Sequence, residues 1–226
     1  MTAHIVRWYP AAVESDDEKR RGPGRPKEPE KRERLIGIAR QIFAESGFAG
    51  TSLTRIALAA GLSKPALFHH FKNKEGLYEA VLYSTVGGLA QVIGQSNLRE
   101  GSFDERLCEL AGGLADYFGE NPDAARLLSQ EVINSGPFTA GPGRQQLRVT
   151  LQIGVSFVTA GQAAGEFHVE DPARVVLAGA GHVLFYYGAR QATDDILGED
   201  GLSPEARAEQ REAIIRHFRR LCGVKV

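Results

Sequence analysis

Cysteine is scarce: only Cys108 and Cys222 occur in a chain of 226 residues. Two thiols so far apart in sequence fit reduced, structural thiols better than a disulfide framework or a metal cage, with a redox switch as the alternative. Long apolar runs are also missing. None approaches the roughly 18 residues that cross a bilayer, and charges interrupt every helix-length segment, so no membrane partner is expected. After Met1 the chain turns polar and then basic, with no apolar signal-peptide core. The expected compartment is the cytoplasm, in association with the nucleoid. No stretch alternates apolar and polar residues over a useful strand length, so no glycine-rich loop follows a strand to cradle phosphate. Ser, His and Asp occur without a nucleophile motif, and His168 and His182 stand isolated, away from any metal-spaced cluster. The expectation is therefore no enzyme, no metal and no cofactor.

Charge is nearly balanced, at −1, but it is not evenly spread. Residues 1–74 hold 14 Lys and Arg against 8 Asp and Glu, whereas the remainder holds 13 against 20. One end suits an anionic partner and the other does not. The length fits one compact fold or two closely joined helical domains.

Residues 1–28 read as an arm. Ser15 to Glu18 is mostly acidic, and Lys19 to Lys27 is basic and broken by Gly22, Pro23, Gly24 and Pro26. Three prolines within seven residues, Pro23, Pro26 and Pro29, forbid a continuous helix there. From Pro29 onward the pattern is helical. Leu35, Ile38, Ala39, Ile42 and Phe43 recur on one face, and Gly47 closes the run. Thr51 and Ser52 are N-cap candidates for a second helix reaching Ala60. Gly61, Leu62 and Ser63 form a tight turn, and Lys64 to Phe71 a third helix with Pro65 in its first turn. A fourth helix opens at Asn73-Lys74-Glu75. Further helices are expected near 103–119, 122–134, 143–164, 172–192 and 204–221, separated by breaks such as Gly141-Pro142, Asp171-Pro172 and Ser203-Pro204. The fold class is all-α.

The informative stretch is Thr51 to Phe71. Two helices that cross steeply through a three-residue turn need a small residue where they touch, which is Ala57. They need a residue tolerant of positive φ at the corner, which is Gly61. They also need an apolar plug, which Leu62 supplies, with Ile56, Leu67 and Phe71 completing a small core. These requirements describe a helix-turn-helix, whose second helix fits a major groove about 12 Å wide.

Residues 33–82 resemble the DNA-binding domain of the TetR/AcrR family of regulators. The resemblance rests on the first helix, Arg34 to Phe48, and on Thr51-Ser52, Ile56-Ala57, Gly61-Leu62-Ser63, Leu67-Phe68, Phe71 and Lys74 to Leu77. It implies a three-helix DNA-binding domain at residues 29–82 and a helical ligand-binding and dimerisation domain at 83–226. Carried over residue by residue, it puts Thr51 and Ser52 against DNA phosphate. Thr54 and Arg55 lie at the exposed start of the second helix, with Arg55 reaching a base edge or a phosphate. Ser63, Lys64, Pro65 and Ala66 form the leading end of the recognition helix, and His69, His70 and Lys74 approach phosphates. The family often has tyrosine where this chain has Phe68, which loses one phosphate contact and turns Phe68 inward or toward sugar. Gly24-Arg25-Pro26-Lys27 resembles the minor-groove grip of an AT-hook, and the alternative for this arm is a solubilising tail.

In the resembled family the larger domain dimerises through its last long helices. Here those are 172–192, with an apolar surface of small residues, and 204–221, with Ile214, Ile215, Phe218 and Leu221 as its stripe, the alternative for both stripes being internal core. Phe138, Phe157, His182, Phe185 and Tyr186 are candidates for a ligand pocket, although such residues also build any helical core. The expected partners are a palindromic double-stranded DNA operator, a second copy of the chain and an unidentified small-molecule effector. The expected function is a sequence-specific regulator, a repressor released from its operator by that effector. The alternative is an architectural DNA-binding dimer that senses nothing.

Overall fold

A computed structural model describes residues 28–141 and 143–224. The basic arm with Arg25, and the Gly141-Pro142 break at Pro142, lie outside the described residues. Every regular element among the described residues is an α-helix: α1 (Glu28–Gly50), α2 (Leu53–Ala59), α3 (Lys64–His70), α4 (Lys74–Leu98), α5 (Phe103–Glu120), α6 (Pro122–Ile133), α7 (Pro137–Ala140), α8 (Gly143–Ala163), α9 (Pro172–Gly188), α10 (Arg190–Leu197) and α11 (Pro204–Leu221). None of them is long and apolar enough to cross a membrane.

Local chemistry places most of these boundaries. Ser52, Ser63, Asn73, Ser102, Asp171 and Ser203 cap their helices, each side chain accepting a hydrogen bond from a first-turn N–H. At α5 the exchange is reciprocal, because the Glu105 carboxylate accepts from the Ser102 N–H. Gly47 takes φ +68° and breaks the regular helix inside α1.

Helices α1–α3 and the start of α4 form a headpiece, and the rest of α4 runs into a body of α5–α11. Leu35, Ala39, Phe43, Ile56, Leu67, Leu77, Val81 and Leu82 are buried in the core that the two parts share. Three polar links cross this joint. Arg40 donates to the Asn121 side chain at 2.7 Å, Gln130 to the Ala44 carbonyl at 3.0 Å, and the Tyr78 hydroxyl to Glu131 at 2.6 Å. Glu131 is only 2% exposed, and its other oxygen accepts from the backbone N–H and hydroxyl of Thr139.

Three features depart from the sequence expectations. The segment 172–192 is two helices, because the chain turns at Ala189 once Gly188 has come against the α6 backbone at Ala125. A short α7 is inserted between α6 and α8. The stripe on α11 is not a free face: Ile214 is fully buried, and Phe218 packs under Gly179 of α9. The outward side of α11 is instead polar, with Glu205, Glu209, Glu212, Arg216 and Arg220 exposed. The stripe goes inward because α11 closes over α5, held there by the Arg219–Asp104 ion pair at 2.8 Å.

Burial holds several acidic protons in place. It pushes the Cys222 thiol up to about 11 and the Tyr187 phenol up to about 12, and it raises Cys108 as well. Tyr78 is raised too, first by burial and then by its bond to Glu131. These groups stay protonated in the fold but ionise in the unfolded chain above about 8.5 for thiols and about 10 for phenols. Their contribution is therefore fully present below those values and lost as pH climbs through the folded ones. The urea midpoint is expected to be level from about pH 7 to about pH 8 and to fall steadily from about pH 9. A midpoint still level at about pH 11 would refute this.

Candidate nucleic-acid interface

The headpiece presents α3 on a rigid support. Gly61 takes φ +66° at the corner, and the Leu62 N–H bonds back to the Ala57 carbonyl at 2.9 Å. Ala57 is buried at the crossing, and Leu67 and Phe71 fix the inner face of α3. Arg32 lies over the Phe71 ring, 5.1 Å from its centroid. The outer face of α3 is then set by the helical period: Ser63, Lys64, Pro65, Phe68 and His69 are exposed, and Ala66 and His70 half-buried. Ser63 accepts the cap bond from the Ala66 N–H, so its hydroxyl proton is available to an outside acceptor. The same holds for the exposed Ser52, which caps α2 through the Arg55 N–H.

Phe68 does not turn inward. It is 42% exposed, with the Lys64 ammonium 6.0 Å from its ring centroid. His69 and His70 stand beside each other at the end of α3, ring centroids 5.8 Å apart. Thr54 is exposed on α2.

The fold gives three of the carried-over residues other work. Thr51 is only 3% exposed and its hydroxyl donates to the Gly47 carbonyl at 2.8 Å, so it braces the turn after α1 and is withdrawn from phosphate. Lys74 donates to the Thr51 carbonyl at 3.0 Å and covers the Phe48 ring at 4.4 Å, tying α4 to the same turn. Arg55 is held to Glu45 at 2.8 Å and to the Ser46 hydroxyl at 2.5 Å, a clamp between α2 and α1. That pair is exposed, and such pairs are worth about 1 kcal/mol or less, so a phosphate can compete for Arg55.

The five pocket candidates do not converge on one cavity. Phe138 is buried against Tyr83, ring centroids 4.9 Å apart. Phe157 belongs to a separate cluster with Phe103 and Phe167. His182 stacks on His217 at 4.4 Å, Tyr186 packs against Tyr187, and Phe185 is 65% exposed. Sequence reasoning missed Arg40, Gln130 and Glu131 at the joint. The one signal was a lone carboxylate at Glu131 on the apolar stripe of α6, beside Leu127 and Leu128.

An all-helical body thus carries a helix-turn-helix whose second helix, α3, turns Ser63, Lys64 and Pro65 outward. Residues 35–81 match the family model of bacterial regulatory proteins, tetR family, and residues 104–217 match the tetracyclin repressor-like C-terminal domain. The chain belongs to the TetR family, a family of transcription regulators. The transcriptional repressor AcnR of Corynebacterium glutamicum is 36% identical over 69 residues, covering 30% of this chain and 37% of AcnR. The transcriptional activator FasR of Mycolicibacterium smegmatis is 31% identical over 121 residues, covering 54% and 55%. The chain thus spans about a third to about half of the length of these relatives. The crystal structure of AibR in complex with isovaleryl coenzyme A and operator DNA superposes with a TM-score of 0.64 at 17% identity, covering 82% of this chain and 96% of AibR. At that identity the likeness is one of fold.

Proposed function

We propose that the protein is a homodimeric repressor that binds a palindromic operator through α3 and is released by a small-molecule effector bound in its helical body. The observation that carries the DNA-binding part is the exposed leading end of α3, with Ser63, Lys64 and Pro65 outward while Leu67 anchors the helix with no exposed surface. Ser63 and Ser52 are the phosphate donors in this reading, and Lys64 is the base-edge donor. Ala66 and Phe68 supply apolar contacts to thymine methyl or sugar, and Thr54, His69 and His70 flank them. AibR was solved with both a coenzyme A ester and operator DNA, which supports an effector-responsive reading of the shared fold. AcnR is named a repressor and FasR an activator, so the sign of regulation depends on where the operator lies relative to the promoter.

Dimerisation in this reading uses α8 and α9. Leu177 is 61% exposed and Phe185 65%, on the same side of α9 as the exposed Ala173, Ala178 and Gly181. Val149 extends the apolar surface on α8, at 44%. Small residues between two large ones let a partner helix approach closely, and one short recognition helix reads too few bases alone. The double substitution Leu177→Asp with Phe185→Asp is expected to yield a folded monomer by light scattering. A dimer that persists unchanged would rule out this face.

The test of the function is binding of the purified protein to a pool of random duplex DNA, followed by sequencing of the retained fraction. An enriched palindrome with half-sites about one helical turn apart, roughly 34 Å, is the expected result. Salt-sensitive binding without enrichment would support an architectural dimer instead, and no binding would overturn the reading.

A further inference from the structure

The geometry points to a binding site for a small oxyanion, a carboxylate or phosphate, in a cleft at the joint between headpiece and body. The cleft holds about 320 Å³ and is lined by Arg40 of α1, Ser84, Gly87, Gly88 and Gln91 of α4, and Tyr117 of α5. Positions 84, 87, 88 and 91 recur at helical spacing, so they form one wall. That wall is hollowed at Gly87 and filled at Gly88, against which Tyr117 packs. A side chain at Gly87 would project into open space, and one at Gly88 would meet the Tyr117 ring at 2.6 Å.

The charge of the cleft is one-sided. Arg40 brings a guanidinium, and no lining residue is acidic. Its hydrogen bond goes to a neutral amide, Asn121, and its buried Nε has no partner. Among the described residues no carboxylate forms an ion pair with it. A half-buried cation without a counter-ion is costly, and an oxyanion beside it supplies the missing charge with charge-assisted hydrogen bonds. Ser84 and Gln91 are exposed at the rim, where their hydroxyl and amide are further donors. The Tyr117 hydroxyl is already committed, donating to the Thr85 carbonyl at 2.9 Å, and so serves as wall. The volume lies near the lower end of small-molecule sites, roughly 300–1,000 Å³, which suits an anion of a few carbons and is too small for a coenzyme ester.

An anion held here touches α1 of the headpiece together with α4 and α5. In that respect the site gives a chemical class to the effector proposed above, while its occupancy stands or falls without DNA. The test is isothermal titration calorimetry of the full chain with sodium succinate and with inorganic phosphate, against sodium chloride at equal ionic strength. Saturable binding of one anion per chain is expected. Arg40→Gln and Gly87→Leu are each expected to weaken it about tenfold or more. Gly87→Leu keeps Arg40 and replaces a helical glycine facing open space, so it is expected to unfold at the same temperature or higher. Binding of succinate alone identifies a carboxylate ligand, and of phosphate alone a phosphate. The site is refuted if neither probe binds beyond the chloride control, or if either variant binds like the unaltered chain. Because no DNA is present, this result is separate from whether the protein leaves an operator.

Discussion

Replacing Glu131 with alanine is expected to cost about 3 kcal/mol of stability, a drop of roughly 6–12 °C in unfolding temperature for a chain of this size. The carboxylate joins three groups, the buried Tyr78 hydroxyl at 2.6 Å and, at the half-buried Thr139, the N–H at 2.7 Å and the hydroxyl at 3.1 Å. Truncation leaves the Tyr78 hydroxyl and the Thr139 N–H without this acceptor, while the Thr139 hydroxyl keeps the Glu131 and Gly136 carbonyls at 3.2 and 3.3 Å, and each unpaired buried group costs about 1–3 kcal/mol. Glu131→Gln keeps the shape and one acceptor oxygen and is expected to lose only about 1 kcal/mol. The same carboxylate lies where a side chain at Gly136 would sit, so Gly136→Ala should destabilise through that contact as well. Urea unfolding of the three variants is the measurement. An alanine variant within about 0.5 kcal/mol of the unaltered protein would mean that the joint does not depend on this carboxylate.

Removing residues 1–27 is expected to weaken operator binding by about a hundredfold and to flatten its salt dependence. Arg20, Arg21, Arg25 and Lys27 precede α1 directly. If each neutralises one phosphate, the slope of log affinity against log salt should fall by about 3–4 in magnitude. Fluorescence anisotropy with the selected operator across a salt series reads both quantities. Unchanged affinity and slope would make the arm a solubilising tail. A loss of affinity confined to A/T-rich flanks would identify the minor groove as its target.

The amino-acid sequence by itself determined the elements whose causes are local. Ser52, Ser63, Asp171 and Ser203 act within three residues, Gly61 acts through its own φ, and Pro65, Pro172 and Pro204 act through a missing N–H. The helix-turn-helix, the exposed side of α3 and the all-α class were legible for that reason, since 3.6-residue periodicity decides which side of α3 is buried. What only the tertiary structure decided is the work of residues whose partners lie far along the chain. Glu131 meets Tyr78 across 53 positions and Gln130 meets Ala44 across 86. Thr51 and Lys74, 23 positions apart, look from sequence like two DNA contacts and in the fold hold each other. Phe138 and Phe157 read as one pocket and occupy two separate clusters. The stripe of α11 has the same periodicity whether it meets a partner chain or α5. An apolar pattern specifies that a face is buried but carries no address, and the address is settled by how the helices pack.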